Sequence, residues 1–346
     1  MAVGPAFSAS SARCCRALMT SLFLALIGVA LSPRPSSADQ GGLSFWLPGS
    51  FGSLSAIPME PGWTLGTVYY HTSADAGGDV AASRSIHLPG RTVPITFNLN
   101  AAINGDADLA ILAPGYTFEQ PILGGRFTAS LLAIVGSMRT TIDAKVEGAL
   151  GPIGFGRSLK FSDSLFSAGD LFPEATLKWN DGVNNYLVYG MTNIPVGDYD
   201  PNRLANLGLG HWSIDGGAGY TYLNTEYGRE FSFVTGLTYN AINSDLEYRN
   251  GIDWHLDWGL SQFLSKEIHI GLVGYVYQQL TGDSGDGAVF GDFKSRVFGI
   301  GPQVGYLFPL GSLHGYINLK GYGEFAADRR ASGWNLWLTF GIAPAG

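Results

Sequence analysis

The most pointed chemistry in the chain lies at two-residue spacing, where Asp253, His255 and Asp257 occur within GIDWHLDWGL at 251–260. Carboxylate and imidazole together are a ligand set for divalent transition metals. In an extended strand, however, side chains two apart run parallel and about 6.6 Å apart at the backbone, so a shared ion would need ligands from a second strand. The plainer use of the three groups is to solvate an aqueous interior and make it favourable to cations. The expectation is therefore neither a metal nor any other cofactor.

Two further patterns invite a chemical reading. His211 and Ser213 share a strand face, where an imidazole could activate a hydroxyl nucleophile. Some outer-membrane lipid hydrolases carry a similar pair as His-x-Ser-Asn, but here Ile214 follows, and the face assignment turns both residues away from lipid. Asp198, Asp200 and Asn202 resemble the start of a calcium loop, yet Arg203 stands where the loop needs glycine and Leu209 where it needs glutamate. Loop-held calcium at these positions, or at Asp283 and Asp286, is a weaker alternative.

The elements that position these residues have a period of two. In 251–260, Ile252, Trp254, Leu256, Trp258 and Leu260 fall on one face and Asp253, His255 and Asp257 on the other. Lipid outside and water inside is the reading that fits two such unlike faces. The pattern recurs. Trp212, Ile214, Ala218, Tyr220 and Tyr222 share a face, as do Phe298, Ile300, Val304, Tyr306 and Phe308, and Trp334, Leu336, Leu338, Phe340 and Ile342. Trp212 and Tyr222 are ten residues apart, which at ~3.3 Å per residue and a tilt of ~40° is roughly 25 Å of height, the distance between aromatic girdles. Opposite the apolar rows, Glu174, Lys178, Asp253, His255, Asp257, Arg296, Asn318, Lys320 and Glu324 are expected to line the lumen.

Short and long connections alternate, as they do when one barrel rim is periplasmic and the other extracellular. Asp181-Gly182 marks a tight hairpin, whereas 84–93, 137–170 and 194–210 read as loops, 137–170 for want of sustained alternation. Thirteen strand candidates result, counting 93–103 separately. A single-chain barrel needs an even number, so 93–103 is expected to extend a neighbouring strand above the membrane, giving a twelve-stranded antiparallel transmembrane β-barrel; fourteen, with 43–54 as a strand, is the alternative.

Composition agrees. Charged residues make up 14% of the chain, against about 25% in ordinary soluble proteins. After Leu31 no uncharged apolar run approaches the ~18 residues of a spanning helix, and lipid admits strands only in a closed barrel. The first 38 residues read as an export signal: Arg13 and Arg16 precede the apolar run 17–31, and Ser36, Ser37 and Ala38 supply a cleavage site. Its removal takes away both cysteines, Cys14 and Cys15, along with Arg13, Arg16 and Arg34, leaving a more acidic chain with no disulfide. The formal charge is −8 even with the signal present, which excludes nucleic acid as a natural partner. Residues 39–62 are rich in glycine and proline and read as a periplasmic lead-in or a lumenal plug, with Phe45, Trp46 and Phe51 as its apolar contacts; 63–346 form the barrel.

Five stretches, GLSFWLPGSFGSL at 42–54, PGW at 61–63, NIPVGDYDPNRLANLG at 193–208, YQQLTGD at 277–283 and GPQVGY at 301–306, resemble the outer-membrane proteins named for the meta pathway of phenol degradation. The resemblance spans about 42–342 and implies an outer-membrane barrel for uptake of aromatic or other hydrophobic compounds, distantly similar to fatty-acid channels. It carries over no catalytic residue. The expected function is passive uptake of small hydrophobic solutes, aromatic ones among them, by a protein whose other partners are outer-membrane lipids. The alternatives are a lipid hydrolase using His211 and Ser213, a general porin, and a structural barrel.

Overall fold

The computed structural model describes residues 44–88, 91–150, 153–288 and 294–345. The expected signal at 1–38 and Leu43 lie outside the described residues. Every regular element is a strand: β1 (Gly62–Leu88), β2 (Arg91–Thr117), β3 (Arg126–Leu150), β4 (Ile153–Asp181), β5 (Asn184–Thr192), β6 (Ser213–Asn224), β7 (Arg229–Asn240), β8 (Asp253–Phe263), β9 (Ile268–Gln279), β10 (Arg296–Leu310), β11 (Leu313–Asp328) and β12 (Ser332–Pro344). Each pairs antiparallel with its neighbour in sequence, and β12 closes on β1 from Leu65↔Ile342 to Asp75↔Ser332. Closure leaves no sheet edge within the ring, the condition lipid imposes. Among the described residues no helix is long and apolar enough to cross a membrane.

Strand alternation is what makes this wall two-faced. Along β7, Glu230, Ser232, Val234, Thr238 and Asn240 are buried toward the interior, while Leu237 and Tyr239 are each half exposed on the outside. β8 repeats the arrangement, with Asp253, His255 and Asp257 buried and Leu260 exposed. Gly182 turns the β4–β5 hairpin at φ +65°, a left-handed conformation that suits glycine.

Residues 93–103 do extend a neighbouring strand, as the upper half of β2, and the count is twelve. The described residues of 84–93 and 137–170, however, are strand and not loop. The first belongs to the β1–β2 hairpin, paired up to Leu88↔Arg91, and the second to the β3–β4 hairpin, paired up to Leu150↔Ile153. Beyond Asp75, where β12 ends, these strands rise past the closed ring. Both faces of the β4 stretch 156–164 are largely exposed there, so sequence carries no apolar–polar rhythm to mark it as strand. The residues 193–212 are an irregular connection, as expected, and they cover the flank of β4 above its last pair with β5. Asp163 Oδ2 accepts from Leu204 N (3.1 Å), and Asp170 accepts from Gly197 N (2.9 Å) and Asn193 Nδ2 (2.7 Å).

Candidate functional site

The interior has two unlike walls. On β1 to β4 part of the inward row is apolar, with Tyr70 opposite Leu109, Val68 opposite Ile111, Ala107 opposite Met138, and Phe172 farther round, all in one packed cluster, while Thr117, Thr128, Glu174 and Lys178 continue the same rows. On β6 to β8 and on β10 and β11 it is chiefly polar: Ser213, Asp215, Thr221, Glu230, Ser232, His255, Asp257, Ser261, Gln303, Asn318 and Lys320 are all buried.

Residues 44–57 lie against the polar wall, hydrogen-bonded to it through their main chain. Asp257 Oδ1 accepts from Gly49 N and Oδ2 from Phe51 N, each at 3.0 Å. From β11, Lys320 Nζ donates to Gly49 O (2.6 Å) and Phe51 O (3.1 Å). A carboxylate and an ammonium, 1% and 5% exposed, thus hold the N–H groups and the carbonyls of one tripeptide. Farther along, Leu54 N donates to Glu230 Oε1 (2.9 Å), Ala56 N to Thr221 Oγ1 (3.0 Å), and Gln303 Nε2 to Ser53 Oγ (2.7 Å). Gly259 makes room for the segment: a Cβ there would lie 2.8 Å from Ser53 N. Charged hydrogen bonds of this kind are the strong class.

The aromatic residues of the segment pack differently. Phe45 meets Phe172 of the apolar wall at a centroid distance of 5.6 Å, and Phe51 meets Tyr189 at 5.5 Å. Trp46 stacks on His255 at 3.6 Å, and His255 Nε2 in turn lies 3.0 Å from Asp215 Oδ2. Asp215 also accepts from Tyr189 OH (2.6 Å) and Thr238 Oγ1 (2.5 Å).

The other residues singled out by sequence are distributed as follows. Lys178 Nζ donates to Ile57 O (3.4 Å). Glu174 sits half-buried on β4 opposite Ser130. Asp253 accepts from Asn240 Nδ2 (2.9 Å), Asn318 Nδ2 donates to Val304 O (3.2 Å), and Glu324 accepts from Tyr275 OH (2.6 Å) and Gly333 N (2.8 Å). Arg296 does not join them: it is exposed, its guanidinium 5.9 Å from the Phe298 ring on the same outward row. At the end of β10, beside a bulge, a long cationic side chain reaches water from the apolar face.

Asp253, His255 and Asp257 take separate partners, and among the described residues no three His, Cys, Asp or Glu side chains gather as a metal site. Of the other pair, His211 Nδ1 bonds Leu209 O (2.8 Å), and Ser213 Oγ donates to Asn240 Oδ1 (2.8 Å). In the β5–β6 loop, Asp200 Oδ1 accepts from Asn202 N (2.9 Å), and Asp198 pairs with Arg203, whose hydrogen bonds hold the Asp198 carboxyl below its ordinary range. The partners Asp215, Glu230, Thr221 and Gln303 were not singled out by sequence. Strand parity alone places Asp215 two residues past Ser213 on the inward row, but nothing local marks it as the pivot of a cluster.

A closed antiparallel ring of twelve strands, apolar outside and divided inside into a polar and an apolar wall, is a transmembrane β-barrel. The family model described as "Putative MetA-pathway of phenol degradation" matches residues 74–340, and the chain belongs to that family. Among solved structures, the COG4313 outer membrane channel from Pseudomonas putida F1 is similar in fold, at 15% identity over 84% of this chain and 98% of its own, with a TM-score of 0.55. A FadL homologue from Pseudomonas aeruginosa aligns over 88% of this chain and 97% of its own at 9% identity, and its TM-score of 0.33 is too low to bear on function. No curated protein sequence matches.

Proposed function

We propose that the protein is an outer-membrane channel for passive entry of small hydrophobic compounds, aromatic ones among them, and that it is not an enzyme. Residues 44–57 act as a plug fixed to the polar wall, and solutes pass between its aromatic residues and the apolar wall of β1 to β4. The observation that carries this reading is the asymmetry of the interior. The plug's main chain is bound by Asp257, Lys320, Glu230 and Thr221, whereas Phe45 faces Phe172. An aqueous porin gains nothing from an apolar inner wall, while an apolar solute gains from each surface it wets. The apolar exterior would rest in outer-membrane lipid, after an export signal ending near Ala38 has been removed.

Uptake of labelled toluene and phenol by cells with and without the protein, and with residues 43–54 deleted, tests the proposal. Faster uptake with the protein, and a rise in ion conductance on deletion, are expected. Equal uptake across a panel of hydrophobic solutes, with ordinary ion conductance of the intact protein in planar bilayers, would make it a general porin.

A further inference from the structure

The stacked pair of Trp46 and His255 has unused hydrogen-bonding capacity. The rings lie 3.6 Å apart with planes inclined by 13°, and the residues are 2% and 0% exposed. His255 Nε2 faces Asp215 Oδ2 at 3.0 Å, the geometry of an Nε2–H donated to a carboxyl oxygen. In the neutral imidazole with that tautomer Nδ1 is an acceptor, and it makes no hydrogen bond to any described residue. Nor does Trp46 Nε1, which can only donate. Buried polar atoms without partners are rare in folded proteins and call for an explanation. Here a donor and an acceptor, both unused, belong to two rings in contact, with Tyr189 6.1 Å and Phe51 5.7 Å from Trp46.

We propose that the nitrogen-bearing edges of Trp46 and His255 form a binding site for the hydroxyl of a planar aromatic solute. The hydroxyl oxygen accepts from Trp46 Nε1–H, and its proton is donated to His255 Nδ1. A methyl ether satisfies only the indole, and a hydrocarbon satisfies neither. Entry requires the short arm before Gly49 to shift. Phe45 and Trp46 are held by ring packing, and Ser44 Oγ accepts from Arg330 Nη2 at 3.2 Å, whereas the main-chain anchors to the polar wall begin at Gly49.

The inference rests on the proposed entry of hydrophobic solutes, and its test separates the two. Binding of phenol, anisole and toluene to the detergent-solubilised protein is measured by calorimetry for the wild type and for Trp46→Phe, which keeps the ring and removes the donor. Retention of the heat-dependent gel mobility of a folded barrel qualifies the variant. The expected wild-type order is phenol, then anisole, then toluene, with about a tenfold preference for phenol over toluene. Trp46→Phe should remove most of that preference. An unchanged phenol-to-toluene ratio in the variant would overturn this site while leaving hydrophobic entry standing, as would a wild type that binds all three alike. A wild type that binds none of them would overturn both. Should the variant not fold, the wild-type order across the three solutes decides the matter alone.

Discussion

Burying Asp257 and Lys320 carries a desolvation penalty that hydrogen bonds to both sides of the tripeptide 49–51 offset. Their substitution should therefore act on the segment rather than on the ring of strands. Asp257→Asn keeps the shape but replaces one acceptor oxygen with a donor facing a main-chain N–H, and should weaken docking of 49–51 by about 1–3 kcal/mol. Lys320→Met leaves the Asp257 charge without its compensating cation and should cost about 3–5 kcal/mol. Protease accessibility of residues 44–57, read beside the gel mobility of the folded barrel, distinguishes the two levels: cleavage of the segment with normal mobility is the expected result. Gly259→Val tests the same contact sterically, because its Cβ would stand 2.8 Å from Ser53 N. It should push the segment off β8 and raise ion conductance. Asp257 and Lys320 were legible as inward residues from strand parity. That they would meet on a glycine-flanked tripeptide more than 200 residues earlier was not, since nothing near 49–51 encodes a partner on β8 or β11.

At the scale of elements, alternation was readable wherever one face meets lipid and failed where neither does. β8 shows it throughout, with Trp254 and Leu260 outward and His255 and Asp257 inward. An arginine at Trp254 should accordingly cost about 2–4 kcal/mol of assembly if it lies near the middle of the membrane. Urea unfolding of the refolded barrel measures this, with the neighbouring inward position as the control. In the β3–β4 hairpin, Ser158, Lys160, Ser162 and Ser164 stand beside Phe161 and Phe166 in exposed rows, and water on both sides removes the selection that writes a two-residue period. The β5–β6 loop has its own pH response. Arg203 hydrogen-bonds Asp198 and lowers its carboxyl pKa in the folded state. The stability this adds to the loop is present above the ordinary carboxylate pKa and is lost as pH falls through the lower folded value. Deuterium exchange of peptides covering 198–209, corrected for intrinsic rates, should accelerate below about pH 4, while β6 stays protected. Equal protection across that range would show that the pair does not hold the loop.

For the whole molecule, membrane class and strand number followed from composition, rhythm and the parity rule for single-chain barrels, because those constraints act on the entire chain. The division of the interior into a polar and an apolar wall did not follow. Nor did the course of the segment 44–57 along those walls, because no local pattern fixes which strands it touches. The central claim is that hydrophobic solutes pass beside this segment while its main chain stays bound. Ser53 Oγ and Ser261 Oγ lie 2.9 Å apart, so the pair Ser53→Cys and Ser261→Cys can tether the segment to β8 in a chain whose only cysteines, Cys14 and Cys15, fall within the stretch 1–38 proposed as an export signal. The decisive measurement is uptake of labelled phenol by cells carrying this double variant, before and after reduction of the disulfide. The account predicts equal uptake in the oxidised and reduced states, both above that of cells lacking the protein. Uptake that falls to the protein-free level on oxidation and returns on reduction would contradict it, because the segment would then have to leave the wall for any solute to pass.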